Sequence, residues 1–204
     1  MAQGSFCYRG MSLVYLYHPY NQAGQNERSI EIPIARWYLA QYPPPARVLE
    51  IGNVLMHYGP VAWMVLEACE RAPGVTNADV MTWTPPKPFD FILSISTIEH
   101  VGFGKYAQLT ASQPTPRDVL QRVRGWLAPG GLLIATVPTG YHPVLDEQFR
   151  TGRLGADELH SLRRISDDNR WAECSLEEAL AMPYRPGSYH WAGGLVVILC
   201  RSEN

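Results

Sequence analysis

The chain has 204 residues, of which 46% are hydrophobic and 18% charged, and its formal net charge is −2. This composition provides enough apolar surface for a sizeable core and argues against global disorder and against a nucleic-acid surface built on bulk charge. No apolar run approaches the ~20 residues of a membrane span, and no N-terminal signal pattern is visible. The four cysteines are widely scattered, which indicates free thiols in a reducing cytoplasm.

We therefore expect one cytoplasmic domain over residues 1–204 that contacts neither nucleic acid nor membranes; whether it forms a homo-oligomer stays open. Residues 1–28 are aromatic and polar without a clear period, which fits either a flap over a pocket or a strand and loop packed on a sheet. Apolar residues at helical spacing predict a helix from Ser29 to Tyr42, which ends at three consecutive prolines.

Strands and helices then alternate along the chain. Strands are expected at about 46–51, 63–66, 89–96, 132–137, 171–174 and 195–201, with a short strand or turn at 77–83. Helices are expected at 116–127 and, as a basic helix, at 156–165, with a helical turn at 176–181. Strand, turn and helix repeated in this order predict an α/β fold: a single, doubly wound, mostly parallel seven-stranded sheet with helices on both faces.

The stretch Arg47-Val48-Leu49-Glu50-Ile51-Gly52-Asn53 is the most informative one. It indicates a buried strand that stops at a glycine, where the chain can turn and approach a ligand closely. In a doubly wound sheet, ligands lie at the C-terminal ends of the strands, where the strand order reverses. Gly52, Glu67, Asp79 and the segment Ser96–His100 all fall at predicted strand ends, so we expect a binding site there.

These segments resemble the class I S-adenosylmethionine-dependent methyltransferases over roughly residues 30–140. Val48-Leu49-Glu50-Ile51-Gly52 is similar to the first motif of that family, although Asn53-Val54-Leu55 replaces its second glycine. Phe89-Asp90-Phe91-Ile92 and the turn at Pro129-Gly130-Gly131 are similar to later motifs. The resemblance implies S-adenosylmethionine as the cofactor, a cofactor-binding core over 29–140, an acceptor side over 141–204, and a last strand that runs antiparallel.

The resemblance also implies roles for individual residues. Glu67 would accept the ribose hydroxyls, Asp79 would meet the adenine amino group, and Glu50 would help to hold the methionine end. Gly52 and Asn53 would form the loop beneath that end, and Ser96 and Thr97 would line the pocket. Plainer readings exist, because a carboxylate at a helix start or in a turn is common: Glu67 can be solvated and Asp79 can cap a turn.

Glu99 and His100 follow the fourth strand, where the methyl acceptor lies in the family that the chain resembles. A histidine with a pKa near neutrality can take a proton from an attacking hydroxyl or amine, although a structural histidine is an equal alternative. No metal site is expected. Asn-Pro-Pro-Tyr, which in the family that the chain resembles is typical of enzymes that methylate amide-type nitrogens, is absent after this strand, and its absence favours a small-molecule acceptor. The attacking atom would be oxygen or nitrogen.

Two other functions stay open. The missing second glycine favours a catalytically inactive, methyltransferase-like protein that binds a ligand or partner. A nicotinamide-dependent enzyme would share the strand, glycine and acid, but Gly-x-Gly-x-x-Gly is absent.

Overall fold

The computed structural model describes residues 4–104, 113–185 and 191–202. The strands of these ranges are β1 (Ser5–Tyr8), β2 (Met11–Val14), β3 (Val48–Ile51), β4 (Met64–Leu66), β5 (Val75–Thr76), β6 (Phe89–Ile95), β7 (Leu127–Pro138), β8 (Glu158–Arg164), β9 (Trp171–Cys174), β10 (Tyr184–Arg185), β11 (Trp191–Ala192) and β12 (Gly194–Arg201). The α-helices are α1 (Arg28–Leu39), α2 (Pro116–Arg124), α3 (Pro143–Arg150) and α4 (Leu176–Leu180). Single 3-10 turns cover Tyr20–Gln22, Leu55–Tyr58 and Ile98–His100.

Eight strands form one central sheet in the order β5-β4-β3-β6-β7-β12-β8-β9. The strands from β5 to β7 are parallel, whereas β12 is antiparallel to both of its neighbours and β9 is antiparallel to β8. The chain runs from β3 outward to β5 on one side, then returns to place β6 on the other side of β3. The strand order therefore reverses at β3, and a crevice is expected at the C-terminal ends of β3 and β6.

Both faces of the sheet are covered by apolar layers. On one face, Ile30, Ile34 and Tyr38 of α1 pack with the β1-β2 hairpin against the sheet. On the other face, Val119 and Val123 of α2 belong to a second buried cluster, which also includes α3 residues. Strands β3, β6 and β12 are buried along nearly all of their length, which explains their unbroken aliphatic sequences.

The α/β class, the helices on both faces and the antiparallel last strand are confirmed, but the sheet has eight strands instead of seven. The expected basic helix over 156–165 is wrong, because Glu158–Arg164 forms β8 beside β12. Leu159 and Leu162 are three residues apart and imitate a helical period, yet the open edge of β12 offers backbone partners that override it. Residues 77–83, expected as a short strand or a turn, form a turn. The strand at this place is β5, Val75–Thr76, which lies just before them.

The described N-terminal residues form the β1-β2 hairpin, whose Phe6 and Tyr8, with the following Tyr15, are buried on the sheet. All four cysteines are free thiols. Within the described ranges, no helix has the length and hydropathy to cross a membrane.

Candidate cofactor site

A cavity of about 370 Å³ opens at the C-terminal ends of β3, β4 and β6. Six of the residues singled out in the sequence line it: Gly52, Glu67, Asp79, Ser96, Thr97 and His100. Glu50, Asn53 and Glu99 are not part of its lining and lie buried behind it. The sheet therefore brings together side chains from three strand ends, as the parallel topology requires.

Gly52 is needed where β3 meets the end of β6. Its φ is +89°, a left-handed conformation that favours glycine. A Cβ at this position would lie 2.2 Å from Thr97 Oγ1, whose hydroxyl donates to the carbonyl of Ile95. The glycine thus allows two strand ends to approach each other directly beneath the cavity.

Glu50 stabilises the loop that leaves β3. Its Oε1 accepts hydrogen bonds from the backbone N–H groups of Val54 and Leu55, at 3.0 and 2.7 Å, and its Oε2 accepts from the Trp63 indole at 3.0 Å. Burial raises the pKa of this carboxyl, and the three donors oppose the shift. Glu50 therefore acts on the cavity through the loop that it holds.

The residues that replace the second glycine direct the loop away from the cavity. The Asn53 amide donates to Glu70 Oε1 at 3.0 Å, and its backbone N–H donates to Glu67 Oε2 at 3.3 Å. Val54 is half-buried and packs against the apolar cluster beneath α1. The β-branched side chain at Val54 therefore does not enter the cavity.

Glu67 and Asp79 both line the cavity while holding turns. Glu67 Oε1 accepts from the N–H groups of Cys69 and Glu70, at 2.7 and 3.4 Å, in addition to the Asn53 contact. Asp79 Oδ1 accepts from the N–H of Met81 at 2.8 Å, which makes a local Asx-type turn. The turn-capping alternative for Asp79 is therefore correct in the structure, and the carboxylate still faces the cavity.

Two charged residues of α1 escaped the sequence reasoning. Arg28 lines the cavity and pairs with Glu31 at 2.5 Å. Glu31 is fully buried, and its Oε1 accepts from the hydroxyls of Ser96 and Thr136, at 2.7 and 2.6 Å. Burial opposes the charge of Arg28, but Glu31 and Glu27 outweigh it and raise the pKa of the guanidinium. The sequence did contain a signal for this pair: the Glu31 carboxylate lies on the apolar face of the predicted helix, between Ile30 and Ile34. A carboxylate at such a position needs a buried partner.

Tyr20, in the segment expected to be either a flap over a pocket or a strand and loop packed on the sheet, lines the cavity. Its ring stacks on His57, with centroids 4.1 Å apart and an interplanar angle of 7°. His57 Nε2 lies 3.1 Å from Glu70 Oε2, on the loop that carries the Glu67 contacts. The N-terminal segment is thereby anchored over one side of the cavity, at Tyr20.

Glu99 and His100 are neighbours with different surroundings. His100 lines the cavity, is partly exposed, and packs edge-on against Tyr141 with ring centroids 4.7 Å apart. Glu99 is fully buried, and its Oε1 lies 3.9 Å from His100 Nε2. Burial, together with the charges of Glu31 and Glu27, raises the pKa of Glu99 well above its usual range, although Arg28 acts against the shift. In the part of the chain that is described, no cluster of three or more His, Cys, Asp or Glu side chains has an arrangement suited to a metal ion.

Comparison with known proteins gives distant likenesses. No protein-family model and no curated protein matches the sequence. Among solved structures, the chain is similar to the N-methyltransferase NodS from Bradyrhizobium japonicum in complex with S-adenosylhomocysteine, with 14% identity, coverage of 87% of this chain and 88% of that one, and a TM-score of 0.49. It is also similar to a SAM-dependent methyltransferase from Archaeoglobus fulgidus, with 13% identity, coverage of 90% and 98%, and a TM-score of 0.48. Likenesses this distant say nothing about which residues of this chain bind a ligand.

Proposed function

We propose that the protein transfers a methyl group from S-adenosylmethionine to an oxygen or nitrogen atom of a small molecule. The observation that carries the proposal is the cavity at the sheet edge where the strand order reverses. Gly52, Glu67 and Asp79, which follow successive strands, line this cavity. Residues 29–140 would hold the cofactor, and residues 141–204 would complete the acceptor side. The antiparallel β12 agrees with the sheet that the sequence resemblance implies.

The residues present fit this cofactor in size and chemistry. The cavity volume of about 370 Å³ lies within the range of small-molecule sites. A nucleoside brings hydroxyl and amino donors, and the carboxylates of Glu67 and Asp79 are acceptors placed to meet them. The amino-acid end brings a carboxylate, and Arg28 is a cation on the cavity wall.

Glu67 has limited capacity for a ligand. A carboxylate offers about four acceptor sites, and three are taken by the backbone N–H groups of Asn53, Cys69 and Glu70. One strong hydrogen bond to a ribose hydroxyl is therefore available on Oε2, and a second requires the 3.4 Å Glu70 contact to give way. The existing bonds fix the carboxylate in one orientation, so little side-chain entropy is lost on binding.

When bound, S-adenosylmethionine supplies an electrophilic methyl group on a sulfonium. Ser96 and Thr97 would exclude water beside that centre, and His100 would hold the acceptor or take its proton. Glu99 would control the protonation of His100 from behind, because its Oε1 lies 3.9 Å from the imidazole. Methyl transfer needs mainly an in-line nucleophile in a dry site, so the base would assist instead of being indispensable.

Thermal unfolding with S-adenosylmethionine and S-adenosylhomocysteine tests the proposal. A ligand at 100 times its Kd stabilises the native state by about 2.7 kcal/mol, which corresponds to a rise in Tm of roughly 5–11 °C for a chain of this size. Glu67→Ala should reduce the affinity by about one to two decades, since a charged acceptor of a hydrogen bond contributes ~1.5–3 kcal/mol. NAD is the control for the nicotinamide alternative. If neither S-adenosylmethionine nor S-adenosylhomocysteine raises Tm at millimolar concentration, the proposal is wrong.

A second candidate function is ligand or partner binding without methyl transfer. The favouring observation is that Glu67 and Asp79 already serve as turn acceptors. This alternative predicts a rise in Tm with a ligand but no release of S-adenosylhomocysteine in the presence of oxygen and nitrogen nucleophiles, which mass spectrometry detects.

A further inference from the structure

Behind the cavity wall lies a cluster of ionisable side chains that the cofactor does not use. It comprises Glu27 directly before α1, Arg28 and Glu31 of α1, and Glu99 in the turn after β6, and the charges of these groups interact with one another. Three carboxyls thus face one guanidinium. His100 borders the cluster next to Glu99.

Most members of the cluster have protein partners. Glu31 is held by Ser96, Thr136 and Arg28, and Glu27 accepts from the N–H of Ala192 at 3.3 Å. Glu99 is the exception: it is 0% exposed, and neither of its oxygens has a hydrogen-bond partner within the described part of the chain. A buried carboxyl without a partner is rare, because native proteins satisfy nearly all such groups.

A second buried polar atom beside the same cluster also has no partner. The Tyr58 hydroxyl lacks a hydrogen bond within the described ranges, and the residue is 9% exposed. Its ionisation is coupled to the charges of Arg28, Glu31 and Glu27, so it lies near the same groups. These two groups, one after β3 and one after β6, both lie beside the cluster and lack hydrogen-bond partners within the described residues. Each can accept a hydrogen bond from a ligand.

The charge balance selects the type of donor. A neutral hydroxyl would satisfy one lone pair and leave Glu99 protonated, because burial raises the pKa of this carboxyl. A protonated amine offers three N–H donors and one positive charge, so it can stabilise Glu99 as a carboxylate. The charges of Glu27 and Glu99 act on the Tyr184 hydroxyl, so this side chain lies beside the same cluster.

We infer that the methyl acceptor is a small primary or secondary amine whose nitrogen is bound by the carboxylate of Glu99. This inference rests on the proposed methyltransferase function. Arg28 belongs both to the cavity lining and to the cluster, and Ser96 of the lining donates to Glu31 of the cluster, so the amine nitrogen lies next to the cofactor cavity. Burial raises the pKa of Glu99, which makes this carboxyl a good proton acceptor once a cationic ligand has ionised it.

The reaction balances with the groups present. The ammonium gives one proton to the Glu99 carboxylate, which here takes the base role considered above for His100, and becomes a neutral amine. The nitrogen lone pair then forms the N–C bond to the methyl group, while the C–S bond breaks and its electron pair stays on sulfur. The positive charge passes from the sulfonium to the methylated ammonium, so no oxidant or further reactant is required.

Isothermal titration with matched amines and alcohols tests the inference. The probes are n-butylamine and phenethylamine against n-butanol and 2-phenylethanol, each titrated at pH 7 into the protein without and with saturating S-adenosylhomocysteine. We expect each amine to bind at least tenfold more tightly than the alcohol of the same skeleton. Glu99→Gln should abolish this ratio, and Tyr58→Phe should lower amine affinity about threefold to tenfold.

Glu147→Gln is the matched control, because Glu147 is an exposed carboxylate of α3 that does not line the cavity. It should change the amine-to-alcohol ratio less than twofold, and an unchanged Tm verifies that each variant is folded. Equal binding of amine and alcohol, binding of neither, or an amine preference that survives Glu99→Gln overturns the inference. Failure of S-adenosylhomocysteine to bind overturns the proposed function instead, and the amine ratio is still measured in the protein without it.

Discussion

Gly52→Ala should damage both the stability of the protein and its cavity. The substitution forces a side chain into φ +89°, which costs about 1–2 kcal/mol. Its Cβ would also lie 2.2 Å from Thr97 Oγ1 and 2.9 Å from Thr97 Cγ2, and overpacking of this kind adds about 1–3 kcal/mol. The sum, about 2–5 kcal/mol, lowers Tm by roughly 4–20 °C for a chain of this size. Because Thr97 lines the cavity, S-adenosylhomocysteine should bind at least tenfold more weakly.

Gly74→Ala separates the two contributions. Gly74 has φ +84°, and a Cβ there would meet no atom within 4 Å, so this variant carries the conformational penalty alone. Urea unfolding of both variants should therefore differ by the packing contribution. Thr97→Ala removes the two clashing atoms and leaves Cβ at 3.0 Å, so the double variant with Gly52→Ala should recover about 1–2 kcal/mol. If Gly52→Ala and Gly74→Ala lose equal stability and both keep ligand affinity, the close approach of β3 and β6 does not shape the site.

Three further predictions follow from the buried groups and the anchored segment. Burial raises the pKa of Glu27 from 4.5 to about 7. Between these pH values the folded protein keeps a proton that the unfolded chain loses, so the free energy of unfolding falls as the pH rises. Urea titrations at pH 5 and 7.5 should show that Glu27→Gln removes up to ~3 kcal/mol of this fall. Glu99→Met should raise the free energy of unfolding by about 1–3 kcal/mol, because an unpartnered carboxyl is replaced by an apolar chain of similar volume; a lower Tm in calorimetry would contradict this. Tyr20→Ala should lose its stacking on His57, worth about 0.5–1.5 kcal/mol, and weaken S-adenosylhomocysteine binding about tenfold in calorimetric titration, whereas Tyr20→Phe should retain both.

Local patterns sufficed for the parts of the fold with strong periods. The aliphatic runs of β3, β6 and β12 were predicted because a strand buried on both faces has no polar alternation to obscure it. β8 was not predictable in this way, since the decision between helix and strand depends on the exposed edge of β12, more than 30 residues further along the chain. The strand ends at Gly52 and Ser96 followed from the same runs, and their meeting at one cavity followed from the parallel topology.

The environment of each carboxyl could not be predicted from the sequence. Glu50 and Glu99 both follow or end a buried strand, and neither the residue type nor its neighbours distinguishes them. Glu50 finds two backbone N–H groups and an indole in the next loop. Glu99 is enclosed beside Glu27 and Glu31, which α1 brings from nearly 70 residues earlier in the chain. Such contacts depend on tertiary packing, which the periodicity of the sequence does not predict.

The carboxyls around the cavity differ in what they are free to do. Glu50 and Glu67 accept hydrogen bonds from backbone N–H groups, so they fix the loops after β3 and β4 beside the cavity. Neither carboxyl oxygen of Glu99 has a hydrogen-bond partner among the other described residues. Its carboxyl lies next to His100, which lines the cavity. If Glu99 binds an amine as we infer, the stability that Glu99→Met recovers is the cost that the protein bears for that binding.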